Sequence, residues 1–136
     1  MKSDSIKTGI WIDRNRSVIV SLEGDEAVIR VINSDMEKNV RFTRGAFKET
    51  EEDIRNRRIR NQFHVYLENV AGKLRDTDYL LVMGPGNAKI ELGKHLIKSR
   101  FRGHIISIET ADKMTERQLA AKVRARFMQK ETALVL

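Results

Sequence analysis

Tyr79-Leu-Leu-Val-Met-Gly-Pro-Gly-Asn-Ala-Lys-Ile-Glu-Leu92 is the stretch on which the fold turns. Tyr79 to Met83 carries no charge and reads as a buried strand. Gly84-Pro-Gly-Asn87 breaks it sharply. Ala88, Leu92, His95 and Leu96 then recur at helical spacing, so a strand feeds directly into a helix. Phe101-Arg-Gly103 closes that helix, and His104-Ile-Ile-Ser-Ile108 reads as a further strand. A strand–helix–strand unit of this length predicts a right-handed crossover between two parallel strands.

Upstream lie three more strands, Thr8-Gly-Ile-Trp-Ile-Asp13, Ser17-Val-Ile-Val-Ser-Leu22 and Ala27-Val-Ile-Arg-Val-Ile32. Only Asp13-Arg-Asn-Arg16 and the turn at Gly24-Asp25 separate them, which argues for an antiparallel meander. Their near-continuous β-branched runs predict strands covered on at least one face. Between the meander and Tyr79 runs a long helix, marked by Ile59, Phe63, Tyr66, Leu67, Val70, Ala71 and Leu74. Thr50 is its expected N-cap, with Glu51, Glu52 and Asp53 at the positive end of the helix dipole and Lys73 and Arg75 at the negative end. The first turns hold Arg55, Arg57, Arg58 and Arg60 with few apolar residues, so that part should project from the body or lie along its surface. At the C-terminal side, Thr115-x-x-Gln118 has the capping-box pattern and opens a helix with Leu119, Ala120, Val123 and Phe127 facing inward.

The expected architecture is therefore α/β, in the order βββ-α-β-α-β-α, with a mixed five-stranded sheet. That is the order of RNase H-like folds. The 136 residues show no repeat and no linker, and are expected to form one domain. Residues 1–7 and 129–136 are expected to be flexible, and 33–50 to form a basic loop.

Lys and Arg number 26 against 19 Asp and Glu, a formal charge of +7. Such a balance favours polyanionic partners such as RNA or the ribosome. There is no cysteine, hence no disulfide framework, thiolate nucleophile or thiolate metal site. This fits a cytoplasmic setting. The opening Met1-Lys-Ser-Asp-Ser5 does not read as a signal peptide, and no membrane partner is expected.

Several stretches resemble the middle domain of archaeal and eukaryotic class-1 peptide-release factors and of the related factor Pelota. They resemble more closely the small bacterial translational machinery proteins related to that domain. The residues concerned are Gly9-Ile-Trp-Ile-Asp13 and the two strands after it, Phe63 to Leu74, Tyr79 to Leu92, and Ile108-Glu-Thr-Ala-Asp-Lys-Met-Thr115 with the following helix. The resemblance implies a translation-related role. In release factors, a Gly-Gly-Gln tripeptide follows the third strand and helps water attack the peptidyl ester. Here the corresponding stretch is Arg41-Phe-Thr-Arg-Gly-Ala-Phe-Lys48, with no Gly-Gly. The resemblance therefore implies a ribosome-associated module without peptide release.

Two sets of residues are candidate sites. Arg41, Arg44, Lys48, Arg55, Arg57, Arg58 and Arg60 form a basic segment able to neutralise RNA phosphates, with Phe42 and Phe47 among the charges and able to stack on bases; the alternative is a solvated helix face with Phe42 and Phe47 buried in the core. Glu49, Glu51, Glu52 and Asp53 interrupt it and offer the arginines local partners. The turn holding Gly84, Gly86, Asn87 and Lys89 precedes a helix, a geometry that can bind an anion; the alternative is a plain strand-to-helix turn. It lacks the Walker A spacing. A two-metal nuclease needs converging carboxylates. Asp13 supplies one and Glu51 or Glu52 approaches a second position, but Met83-Gly84 offers none. His64, His95 and His104 are scattered, so no metal site and no cofactor are expected. The leading expectation is a non-enzymatic RNA- or ribosome-associated module. A protein-interaction or stress adaptor is the alternative, ahead of a peptidyl-tRNA ester hydrolase or a metal nuclease.

Overall fold

The computed structural model describes residues 5–24, 26–34 and 48–135, with 48–50 and 129–135 as backbone. The continuous apolar runs become the centre of a five-stranded sheet. Strands β1 (Lys7–Ile12), β2 (Arg16–Glu23) and β3 (Glu26–Asn33) form the meander. Helix α1 (Lys48–Lys73) leads to β4 (Tyr79–Gly84). Helix α2 (Ala88–Lys98) joins it to β5 (His104–Thr110), and α3 (Glu116–Val135) follows. The sheet order is β3-β2-β1-β4-β5. β1 pairs antiparallel with β2 and parallel with β4, and β4 pairs parallel with β5. The expected order and mixed sheet are therefore those observed.

The alternation within β1 divides the core into two layers. Ile10 and Ile12 face α1 and α2, where they join Tyr66, Leu67, Val70, Leu74, Leu92 and Leu96. Trp11 faces the opposite layer with Val18, Val20, Met83, Leu119, Val123 and Phe127. β1 and β4 are covered on both faces, which is why neither shows a polar alternation.

Two glycines allow this layering. A β-carbon at Gly84 would collide with the Ile12 carbonyl oxygen, so β4 reaches β1 this closely only with glycine there. A β-carbon at Gly9 would meet the Val123 side chain of α3. Trp11 is buried, and its indole Nε1 donates to the carbonyl oxygens of Ala111 (3.2 Å) and Asp112 (3.1 Å). It thereby anchors the chain between β5 and α3.

The capping box forms as expected. Thr115 N donates to Gln118 Oε1 at 2.9 Å, and Gln118 N donates to Thr115 Oγ1 at 3.1 Å. Other boundaries differ from the expectation. α1 already runs from Lys48, so Thr50 lies inside its first turn rather than at the N-cap. Asn33 belongs to β3, which leaves 34–47 between β3 and α1; residues 35–47 are outside those described. Within the stretch expected to be flexible, Lys7 begins β1, and Ile6 just before it donates its N–H to Asp78 Oδ2 at 2.7 Å. α3 extends to Val135 through the tail from Gln129. Among the described residues, no helix is long and apolar enough to cross a membrane.

Candidate nucleic-acid interface

α1 is two helices in character. From Phe63 onward it packs on the sheet through Tyr66, Leu67, Val70 and Leu74. Before Phe63 it contributes nothing to the core. Residues 52–58 are all exposed, and Arg55, Arg57, Arg58 and Arg60 are exposed together. At about 100° per residue, these four positions spread around the helix axis rather than along one face. Glu51, Ile59 and Gln62 are half-buried, so one face is partly covered while the four arginines stay exposed around the helix. Glu52 and Asp53 are exposed one turn earlier, towards the positive end of the dipole. Lys48 opens the helix, and Arg41 and Arg44, with Phe42 and Phe47, fall outside the described residues.

The exposed segment is tied to the body at the β1–β2 hairpin. The Tyr66 hydroxyl donates to the Asp13 carbonyl oxygen at 3.0 Å, and the Arg14 guanidinium sits 4.5 Å above the Phe63 ring centre. Burial pushes the Tyr66 hydroxyl well above the ordinary phenol range. Arg14 thus adds a cation at the root of the arginine segment, a placement that the sequence order did not reveal.

The Gly84–Lys89 turn lies at the carboxyl end of β4. Gly84 is fixed there by the Ile12 carbonyl. The Asn87 carbonyl accepts from Ile90 N (2.9 Å) and Glu91 N (3.0 Å), while its side chain makes no capping bond. Lys89 is buried, and its ammonium donates to the Gly86 carbonyl of the same turn. Its charge therefore serves the turn's own backbone.

Asp13 is likewise engaged locally. Its Oδ1 accepts from Asn15 N and Arg16 N, both at 2.8 Å, closing the β1–β2 turn. No group of three His, Asp or Glu side chains among the described residues could hold a metal ion. The histidines are less scattered than their sequence positions imply. His64 and His95 meet edge to face at 5.4 Å, and His64 Nε2 lies 3.4 Å from Glu68 Oε2.

No family model and no curated protein matches this chain. Solved structures do. The Pelota protein of Thermoplasma acidophilum aligns with 82% of this chain at 10% identity and a TM-score of 0.58, over 30% of its own length. Pelota from Archaeoglobus fulgidus aligns with 97% of this chain at 17% identity and a TM-score of 0.57, over 35% of its own length. An archaeal translation termination factor aligns with 94% of this chain at 15% identity and a TM-score of 0.44, over 40% of its length. The chain thus spans about a third of the Pelota proteins it matches, and it shares the fold of that part of them.

Proposed function

We propose that this chain is a non-enzymatic, translation-related module that contacts RNA, on the ribosome, through the basic segment from Arg41 to Arg60. The observation that carries this reading is the arginine-bearing first half of α1, whose Arg55, Arg57, Arg58 and Arg60 are all exposed and which contributes no buried core residue. A helix that buried one face would need an apolar stripe there, and the stretch from Lys48 to Gln62 has none. Phosphate neutralisation calls for this kind of surface: guanidinium forks on a support held rigidly at its base. The support here is the packed half of α1, with Tyr66 on Asp13 and Arg14 over Phe63. The fold shared with part of Pelota and the sequence resemblance to release-factor middle domains support the same reading.

The test is RNA binding by a variant with Arg55, Arg57, Arg58 and Arg60 all replaced by alanine. Affinity should fall at least tenfold at moderate salt. The slope of log affinity against log salt should flatten by about 3, at roughly 0.7 for each phosphate that is no longer neutralised. Wild-type affinity in that variant would overturn the reading. Partner capture that survives nuclease and high salt would instead favour a protein-interaction adaptor.

A further inference from the structure

A groove of about 730 Å³ lies between the C-terminal ends of α1 and α2. Its size is that of a small-ligand site. The floor is apolar: Leu96 is buried, and Phe101 packs half-buried against the same core. Arg75, Arg100 and Arg102 stand around it, all exposed. None of the three is ion-paired among the described residues.

Arg100 is held there by an uncommon backbone. α2 ends in a Schellman motif, with Arg100 N donating to Ile97 O (3.2 Å) and Phe101 N to Leu96 O (2.9 Å). The motif puts Arg100 at φ +62°, a conformation that favours glycine. Phe101, the next residue, is half-buried against the core cluster that includes Leu96, and Arg100 and Arg102 flank it in sequence.

The charge around the groove narrows the class of ligand. Glu68 and Asp76 also line it, so three arginines face two carboxylates, a formal surplus of one. The C-terminal ends of two helices add partial negative charge. A nucleoside di- or triphosphate, with several negative charges, is poorly matched to that surplus. A phosphodiester, with one charge per linkage, is well matched. The carboxylates can accept from a base amino group or a ribose hydroxyl, and the apolar floor suits a base face. Neutralising the helix ends accounts for cations at this place, but not for a cavity with an aromatic floor between them.

We propose that this groove holds one unpaired nucleotide of single-stranded RNA, its base over Leu96 and Phe101 and its flanking phosphodiesters on Arg75, Arg100 and Arg102. The proposal rests on the RNA reading above but concerns a different surface. Arg57 lies about 24 Å of helix rise from Lys73, the last residue of α1, and Arg75 follows two residues on, so the groove is at the opposite end of α1 from the arginine segment.

The experiment is fluorescence anisotropy with a 12-nucleotide single-stranded RNA, the same RNA as a duplex, and ADP as competitor, using the whole chain. The variant is Arg75→Gln/Arg100→Asn/Arg102→Gln, in which asparagine tolerates the left-handed backbone; thermal unfolding verifies that it is folded. Single-strand affinity should fall at least tenfold, with the salt slope reduced by about 2. Duplex affinity should fall less than threefold, and millimolar ADP should displace none of the bound strand. Wild-type single-strand affinity in the triple variant, an equal loss on the duplex, or displacement by ADP would each overturn the groove assignment. The Arg55/Arg57/Arg58/Arg60 variant separates the two claims. Loss in that variant alone removes the groove and leaves the function standing; loss in the triple variant alone does the reverse.

Discussion

The Tyr66 hydroxyl reaches across from α1 to donate to the Asp13 carbonyl oxygen at 3.0 Å, joining the packed half of the helix to the β1–β2 turn. Tyr66 is the last buried anchor before the exposed arginine segment, so this bond fixes the direction in which that segment leaves the body. Tyr66→Phe leaves the carbonyl without this donor and should destabilise the protein by about 1–2 kcal/mol. Denaturant unfolding measures it.

The same hydroxyl makes a pH prediction. Burial raises its pKa above the ordinary value of 10.0, so the folded protein keeps the proton that the unfolded chain gives up. The stabilisation is fully present below pH 10 and is lost as pH rises beyond it. Unfolding midpoints from pH 8 to 11.5 should decline more steeply in the wild type than in Tyr66→Phe. Parallel declines would show that Tyr66 does not titrate as a buried group.

Gly84→Ala should be among the most damaging single changes to the sheet. The added carbon meets a backbone carbonyl of β1, which cannot rotate away, so β1 and β4 must separate. A loss of about 3 kcal/mol is expected, from thermal or denaturant unfolding. Gly86→Ala, in open space on the same turn, should be close to neutral.

Glu109 on β5 pairs with Arg126 on α3. The hydrogen bond from Arg126 holds the Glu109 carboxyl below its ordinary 4.5. The contribution is present above pH 4.5 and is lost as pH falls through the lowered value. Both side chains are partly exposed, so Glu109→Gln should cost less than about 1 kcal/mol at pH 7. The gap between variant and wild type should narrow as pH falls below 4.5, as measured by unfolding at pH 7 and at a series of lower pH values.

Arg100→Gly should raise stability by about 0.5–1 kcal/mol, because glycine adopts the left-handed C-cap backbone without the β-carbon penalty. A lower melting temperature would mean that the Arg100 side chain makes a stabilising interaction that outweighs the strain.

Much of this fold was legible because burial wrote it into local pattern. β1 and β4 are covered on both faces and appear as unbroken apolar runs; Phe63 to Leu74 and Leu119 to Phe127 repeat at helical spacing. The start of α1 was not legible. Residues 48–62 are helical without an apolar stripe, and Thr50 offered a false N-cap within them. Lys89 reads as a cation next to a glycine-rich turn, and only the packing of α2 shows its charge turned onto Gly86. Arg75 and the run Arg100-Phe-Arg102 lie 25 positions apart in the chain, and nothing local joins them. The signal available was the cation–aromatic–cation run itself, which as sequence only marks the end of a helix.

Co-sedimentation with ribosomes on sucrose gradients tests the central claim most directly, with wild type and the Arg55/Arg57/Arg58/Arg60 alanine variant at low and high salt. The account predicts that the wild type migrates with ribosomes at low salt and leaves them at high salt, and that the variant stays at the top of the gradient in both. A wild type absent from ribosomal fractions at both salts, or a variant that migrates like the wild type, would contradict it.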